Sequence, residues 1–229
     1  MHSSSSATIY DGKFNGMGSF RMNSSSDSYI YGGHFTIRDD SSWNVIGIEQ
    51  SNGNLTIDGN NVQIFSNTNS FLASKEGSTG NLNLKNFELF GTKGTISWRS
   101  TGDMTLENVT YNTLDENTVF ILNYKSGTVN LISGNYSTMN TLISNMSSGN
   151  INVKNGSYTS KKAYAFKNNG TGTINICNGS VNGIYDLAVS SSGAINYSNA
   201  VLFKNNTNIP NKMILGNFDN INGSYNGAC

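Results

Sequence analysis

The chain has 229 residues, 14 basic and 14 acidic side chains, 25 glycines and a single proline. A net charge of zero argues against a nucleic-acid partner, which an excess of Lys and Arg would serve, and no apolar run approaches the ~18 residues of a membrane span. Low charge combined with abundant Asn, Ser, Thr and Gly suits repeated turns with an uncharged polar surface, not charge-driven disorder.

The opening MHSSSSATIY lacks the apolar run of a signal peptide, so a secreted protein would start here as a mature fragment. One pattern then recurs: apolar, polar, apolar, two polar or small residues, and a further apolar residue. It is ATIYDGKF at 7–14, SYIYGGHF at 28–35, LTIDGNNV at 55–62, LNLKNFEL at 82–89 and MTLENVTY at 104–111. It continues as VNLISGNY at 129–136, INVKNGSY at 151–158, INICNGSV at 174–181 and INYSNAVL at 195–202. The anchors Ile9, Ile30, Ile57, Leu84, Leu106, Leu131, Val153, Ile176 and Tyr197 are spaced 21–27 residues apart. From Ile57 on, each triplet closely follows a glycine, and a second apolar segment precedes that glycine, as in NSFLAS, GTISW, TVFILNY, NTLISNM and AYAFKN.

Each repeat thus carries three short strands with period-two alternation and no helical period. One coil cannot bury its own apolar side chains, but stacked coils bury them in a common column. The expected fold is all-β: a right-handed parallel β-helix (β-solenoid) of about nine coils of ~21–27 residues, set by the repeat spacing. Its coils should occupy residues 1–203, with 204–229, which holds Pro210, forming an irregular last coil or C-terminal cap.

Two residues after each anchor stand Asp11, Gly32, Gly59, Asn86, Asn108, Ser133, Asn155, Asn178 and Asn199. Gly, Asn and Asp tolerate the positive φ of a sharp bend, so this column predicts a bend with an asparagine ladder, shifted to Gly134 where Ser133 stands. Between the inward residues lie Thr8, Tyr29, Thr56, Asn83, Thr105, Asn130, Asn152, Asn175 and Asn196, which must face outward.

Chemistry is hard to assemble from these residues. A lyase of this shape needs clustered carboxylates and a base, and a hydrolase needs two convergent acids. Asp58, Lys85 and Glu107 share one outward column, which reads as a surface charge ladder. His34 and the Arg38-Asp39-Asp40 run read as a loop. With only His2 and His34, no metal site or Ser–His–Asp triad is expected. Cys177 is expected to be a free thiol. The chain is therefore expected to be no enzyme, with no cofactor and no metal.

Charge is unevenly placed. Residues 117–185 hold Lys125, Lys154, Lys161, Lys162 and Lys167 and no acid, whereas residues 1–116 carry 12 acids against 7 bases. In a rod, sequence position maps to axial position, so these lysines, with Tyr124 and Tyr164, form the candidate ligand-binding set for an anionic polysaccharide. A second candidate is aromatic: Tyr10 and Tyr31 share a column beside Tyr29, and Trp43 and Trp98 sit at strand ends.

The INVKNGSY and INICNGSV repeats, their Asn column and the scarcity of catalytic acids resemble the pectate-lyase-like adhesive domains of Gram-positive bacterial cell-surface adhesins, over residues 7–203. The resemblance implies a non-catalytic domain at the cell surface or cell wall, extracellular, with polysaccharide or glycoprotein glycans, acidic ones included, as partners. It further implies a monomer within a larger surface protein. The alternatives are a structural spacer or autotransporter-type passenger segment and, further off, a polysaccharide lyase, a hydrolase or a phage tailspike.

Overall fold

The computed structural model describes residues 5–38, 44–49, 51–66, 70–91 and 93–227. The repeat folds as expected into an all-β solenoid of parallel strands with about nine turns. The strands lie in three stacks, and in the fourth and fifth coils one long strand, Leu82–Phe90 or Met104–Asn112, serves the first two. The first stack runs from Thr8–Ile9 through Ser28–Ile30 and Leu55–Asp58 to Ile195–Tyr197 and Ile221–Asn222. Its register pairs the anchors one on another: Ile9 on Ile30, Ile57 on Leu84, Leu106 on Leu131, Val153 on Ile176. The second stack follows the bend, as in Gly33–Ile37 and Gly134–Thr138, and the third holds the segments before each glycine, such as Leu72–Ser74, Ile96–Trp98 and Ile121–Asn123.

Inward residues alternate with outward ones, so the interior is a continuous column in which Ile30, Leu55, Ile57, Leu82, Leu106, Val129 and Ile151 are fully buried. A file of rings runs along it: Phe71, Tyr111, Phe120, Tyr136, Tyr158 and Phe166, with successive centroids 4.2–5.5 Å apart. Such ring pairs add about 0.5–1.5 kcal/mol each beyond their burial. The buried hydroxyls find acceptors: Tyr111 donates to the Gly94 carbonyl (2.9 Å), Tyr136 to Ser133 (3.1 Å) and Tyr158 to Asn155 (2.8 Å).

The bend departs from expectation in an instructive way. Gly59, Asn86 and Asn108 take positive φ as the column predicts, and Gly134 does so in place of Ser133 as expected, but at Gly12, Gly33, Gly156 and Gly179 the residue after the column takes it, and in the ninth coil neither Asn199 nor Ala200 does. Glycine adopts this conformation without the Cβ penalty. Where a glycine follows the column, it takes the bend; where Phe87 or Val109 follows, the asparagine must. The continuous asparagine file is corrected accordingly. Asn86 donates to Asp58 (2.8 Å) and Asn108 to Asn86 (3.1 Å), but Asn155 and Asn178 accept from the amides of their own following glycines, and Asn199 accepts from Ser224.

Other ladders hold the coils. On the outward face of the first stack, Asn152 donates to Asn130, Asn175 to Asn152, Asn196 to Asn175 and Asn222 to Asn196, at 3.0–3.2 Å. A second ladder is buried: Asn123 donates to Asn145 (3.2 Å) and Asn145 to Asn168 (3.3 Å). Each of the three also donates to the glycine carbonyl four residues on, and Trp98 plays the same part through Nε1 to Gly102 (2.9 Å). The glycines before the triplets are needed for close approach: a Cβ on Gly149 would lie 2.5 Å from the carbonyl oxygens of Gly127 and Lys125.

Beyond Leu202 a short 3-10 turn, Lys204–Asn206, precedes two more strands. Lys212–Ile214 extends the third stack on residues 187–189, and Ile221–Asn222 extends the first. His34 belongs to a strand, in register with Lys13 and Gln63, not to a loop. Asp39, Asp40 and Trp43 lie outside the described residues. Cys177 is not a free thiol: it is disulfide-bonded. Its Sγ lies 3.8 Å from the Gly227 carbonyl oxygen, so the last segment folds back beside it. The chain's other cysteine, Cys229, is outside the described residues.

Candidate functional site

The outer face of the third stack is recessed where its outward residues are small. Ala73 and Ser97 are paired in register, so two neighbouring rungs present almost no side chain. Longer side chains wall this floor: Lys75, Glu76 and Arg99 follow the strands, and Asn44 and Ser70 precede them. Together they enclose a groove of about 570 Å³. It adjoins a smaller hollow of about 220 Å³, lined by Ser70, Lys93, Thr95, Asp115 and Asn117 among others.

The trailing wall is a polar and aromatic network. The Arg99 guanidinium lies over the Tyr124 ring, 4.5 Å from its centroid. Lys125 pairs with Glu76 at 2.8 Å, and Lys75 with Glu49 at 3.2 Å. Lys125's hydrogen bond and charge hold the Glu76 carboxyl below its usual range. Two rungs further along the same stack, Tyr164 stacks on Tyr185 (5.8 Å), and the Lys167 ammonium sits 5.2 Å from the Tyr164 ring centroid.

Tyr124, Lys125, Tyr164 and Lys167 therefore lie along one face. Lys161 and Lys162 mark its leading corner, where Lys162 forms an ion pair with Glu116 beside the smaller hollow. Lys154 stands apart, at the bend after Ile151–Val153. The basic band is less bare than the sequence implies, because acids from earlier coils pair with Lys125 and Lys162. Comparison with known protein families, curated sequences and solved structures finds no match.

Sequence reasoning missed Ala73, Ser97, Lys75 and Arg99. The available signal was the run of small residues at the outward position of FLAS and GTISW. Trp98 is corrected as an exposed aromatic: it is fully buried. Asp58, Lys85 and Glu107 do form a ladder, with Lys85 pairing with Glu107 at 3.0 Å. The carboxylates serve the scaffold: Asp58 holds Asn86, Asp27 holds Asn54, Asp103 accepts the Thr128 amide, and Asp186 accepts the amides of Gly183 and Asn211.

Proposed function

We propose that this chain is a non-catalytic, extracellular adhesin domain of a bacterial surface protein that holds a polysaccharide or glycoprotein glycan along its third face. The observation that carries this reading is the groove with a small-residue floor at Ala73 and Ser97 and a wall of Lys75, Glu76 and Arg99, the last of which rests on the Tyr124 ring. An extended chain resting on the floor meets cations from the side, and can run on along the face towards Tyr164 and Lys167. Carboxylates tied into structural hydrogen bonds favour holding over turnover. The disulfide at Cys177 favours an oxidising compartment.

The test is a glycan array followed by titration of the best ligand at low and high salt. Uronate or sulfated glycans are expected to lead. Arg99→Ala and Lys75→Ala should each weaken binding about tenfold at low salt, the loss of one charge-assisted contact. The effect should shrink in ~1 M salt, where the screening length falls to about 3 Å. Absence of any glycan ligand would favour the spacer role, and sugar release from the array would favour an enzyme.

A further inference from the structure

At the opposite end of the rod from the lysines, three tyrosines cluster on the corner between the first and second stacks. Tyr10 and Tyr31 each follow an anchor, Ile9 and Ile30, and those anchors are paired in register. Their rings stack at 5.6 Å and 20°, and the Tyr29 ring lies 6.1 Å from Tyr31 with planes 6° apart. The core does not need them. Ile30 and Phe35 fill the interior beneath, and Phe14 stacks on Phe35 at 4.7 Å. Tyr10 is 74% exposed, with Tyr31 at 41% and Tyr29 at 36%. A ring that exposed gains little from burial, and contact with Tyr31 leaves most of its surface to solvent.

The corner is held firmly. Tyr31 N–H donates to the Ile9 carbonyl at 2.7 Å, and the adjacent Gly32 packs so tightly that a Cβ there would lie 2.1 Å from the Tyr10 carbonyl oxygen. Polar groups flank the rings: Asp11 at one end, Thr56 paired with Tyr29, and Asp58 one rung beyond Tyr31.

We propose that Tyr10, Tyr29 and Tyr31 form a second saccharide site, separate from the groove, that stacks neutral pyranose rings. Aromatic side chains with a polar tip suit a ligand with one apolar and one hydroxylated side, and a pyranose with equatorial hydroxyls has an apolar C–H face of that kind. Asp11 and Asp58 disfavour uronates and sulfated sugars by like-charge repulsion, while their oxygens and the Thr56 hydroxyl suit sugar hydroxyls. This inference rests on the glycan-binding reading but not on the groove.

The experiment titrates the full chain with cellotetraose, mannotetraose and xylotetraose, following tyrosine ring resonances by NMR and affinity by calorimetry. At least one tetrasaccharide should shift the Tyr10 and Tyr31 ring signals, with an affinity unchanged between low and high salt. Tyr10→Ala and Tyr31→Leu should each weaken it about tenfold, Tyr10→Phe should retain it, and Arg99→Ala should leave it unchanged. Ring signals unmoved by all three sugars, or affinity indifferent to Tyr10→Ala, would overturn the site. If acidic glycans still bind in that case, the adhesin reading stands without it. If neither class binds, both fail.

Discussion

Asparagine does three different jobs in this chain, and burial decides which. On the outer face, Asn130 to Asn222 hydrogen-bond along the rod while still reaching water. At the bends, Asn86 and Asn108 carry positive φ. Inside, Asn123, Asn145 and Asn168 spend their amides on each other and on glycine carbonyls that water does not reach. The buried ladder stops at Trp98, whose indole offers only a donor, already given to Gly102. The Asn123 Oδ1 atom is accordingly left without a partner among the described residues. Removing a rung exposes the cost of unpaired buried groups. Asn145→Ala strands the Gly149 carbonyl and takes a partner from both neighbours, so urea unfolding should show a loss of about 2–3 kcal/mol. A loss below about 1 kcal/mol, no more than one ordinary hydrogen bond, would mean the ladder is dispensable.

At the scale of elements, each strand is too short to be stable alone, and its neighbours in the stack hold it. The last rung of the third stack depends on one acid. Asp186 is fully buried and accepts the amides of Gly183 and Asn211, which places Lys212–Ile214 on the stack. Burial raises its pKa, outweighing the two amides that lower it. The folded state therefore binds this proton more readily than the unfolded chain does. The favourable contribution is full below the unfolded pKa and is lost as pH rises through the raised folded one. Acidification from neutrality towards the ordinary carboxylate range should shift the stability difference between wild type and Asp186→Asn in favour of wild type. A difference that stays flat with pH would contradict this assignment.

For the whole molecule, a solenoid's stability is close to a sum over neighbouring coils, so a local tie acts locally. Cys177 is disulfide-bonded just after the eighth rung of the first stack, and the Gly227 carbonyl oxygen lies beside its Sγ. Reduction of that disulfide should cost about 2–4 kcal/mol. Hydrogen exchange should quicken at Ile221–Asn222 and Lys212–Ile214, while Leu82–Phe90 and Met104–Asn112 keep their protection. Uniform acceleration along the rod would instead mark the bond as global. The same one-dimensional layout separates the tyrosine corner at Tyr10 from the groove at Arg99 and from Lys167, giving one rod several distinct lateral surfaces.

The coil register was legible in the linear chain. Ile9, Ile57, Leu106 and Val153 stand out because inward and outward side chains alternate residue by residue, and that alternation is a local property. The three-strand coil followed from it, as did the outward Thr and Asn column. What lay beyond local pattern was decided by neighbours one or two coils away. Whether Lys125 is free depends on Glu76, two coils back. Likewise, Ala73 and Ser97 become a groove floor only when stacked. Those outcomes turn on side-chain reach across ~4.8 Å rungs, a distance that exists only once the coils are stacked.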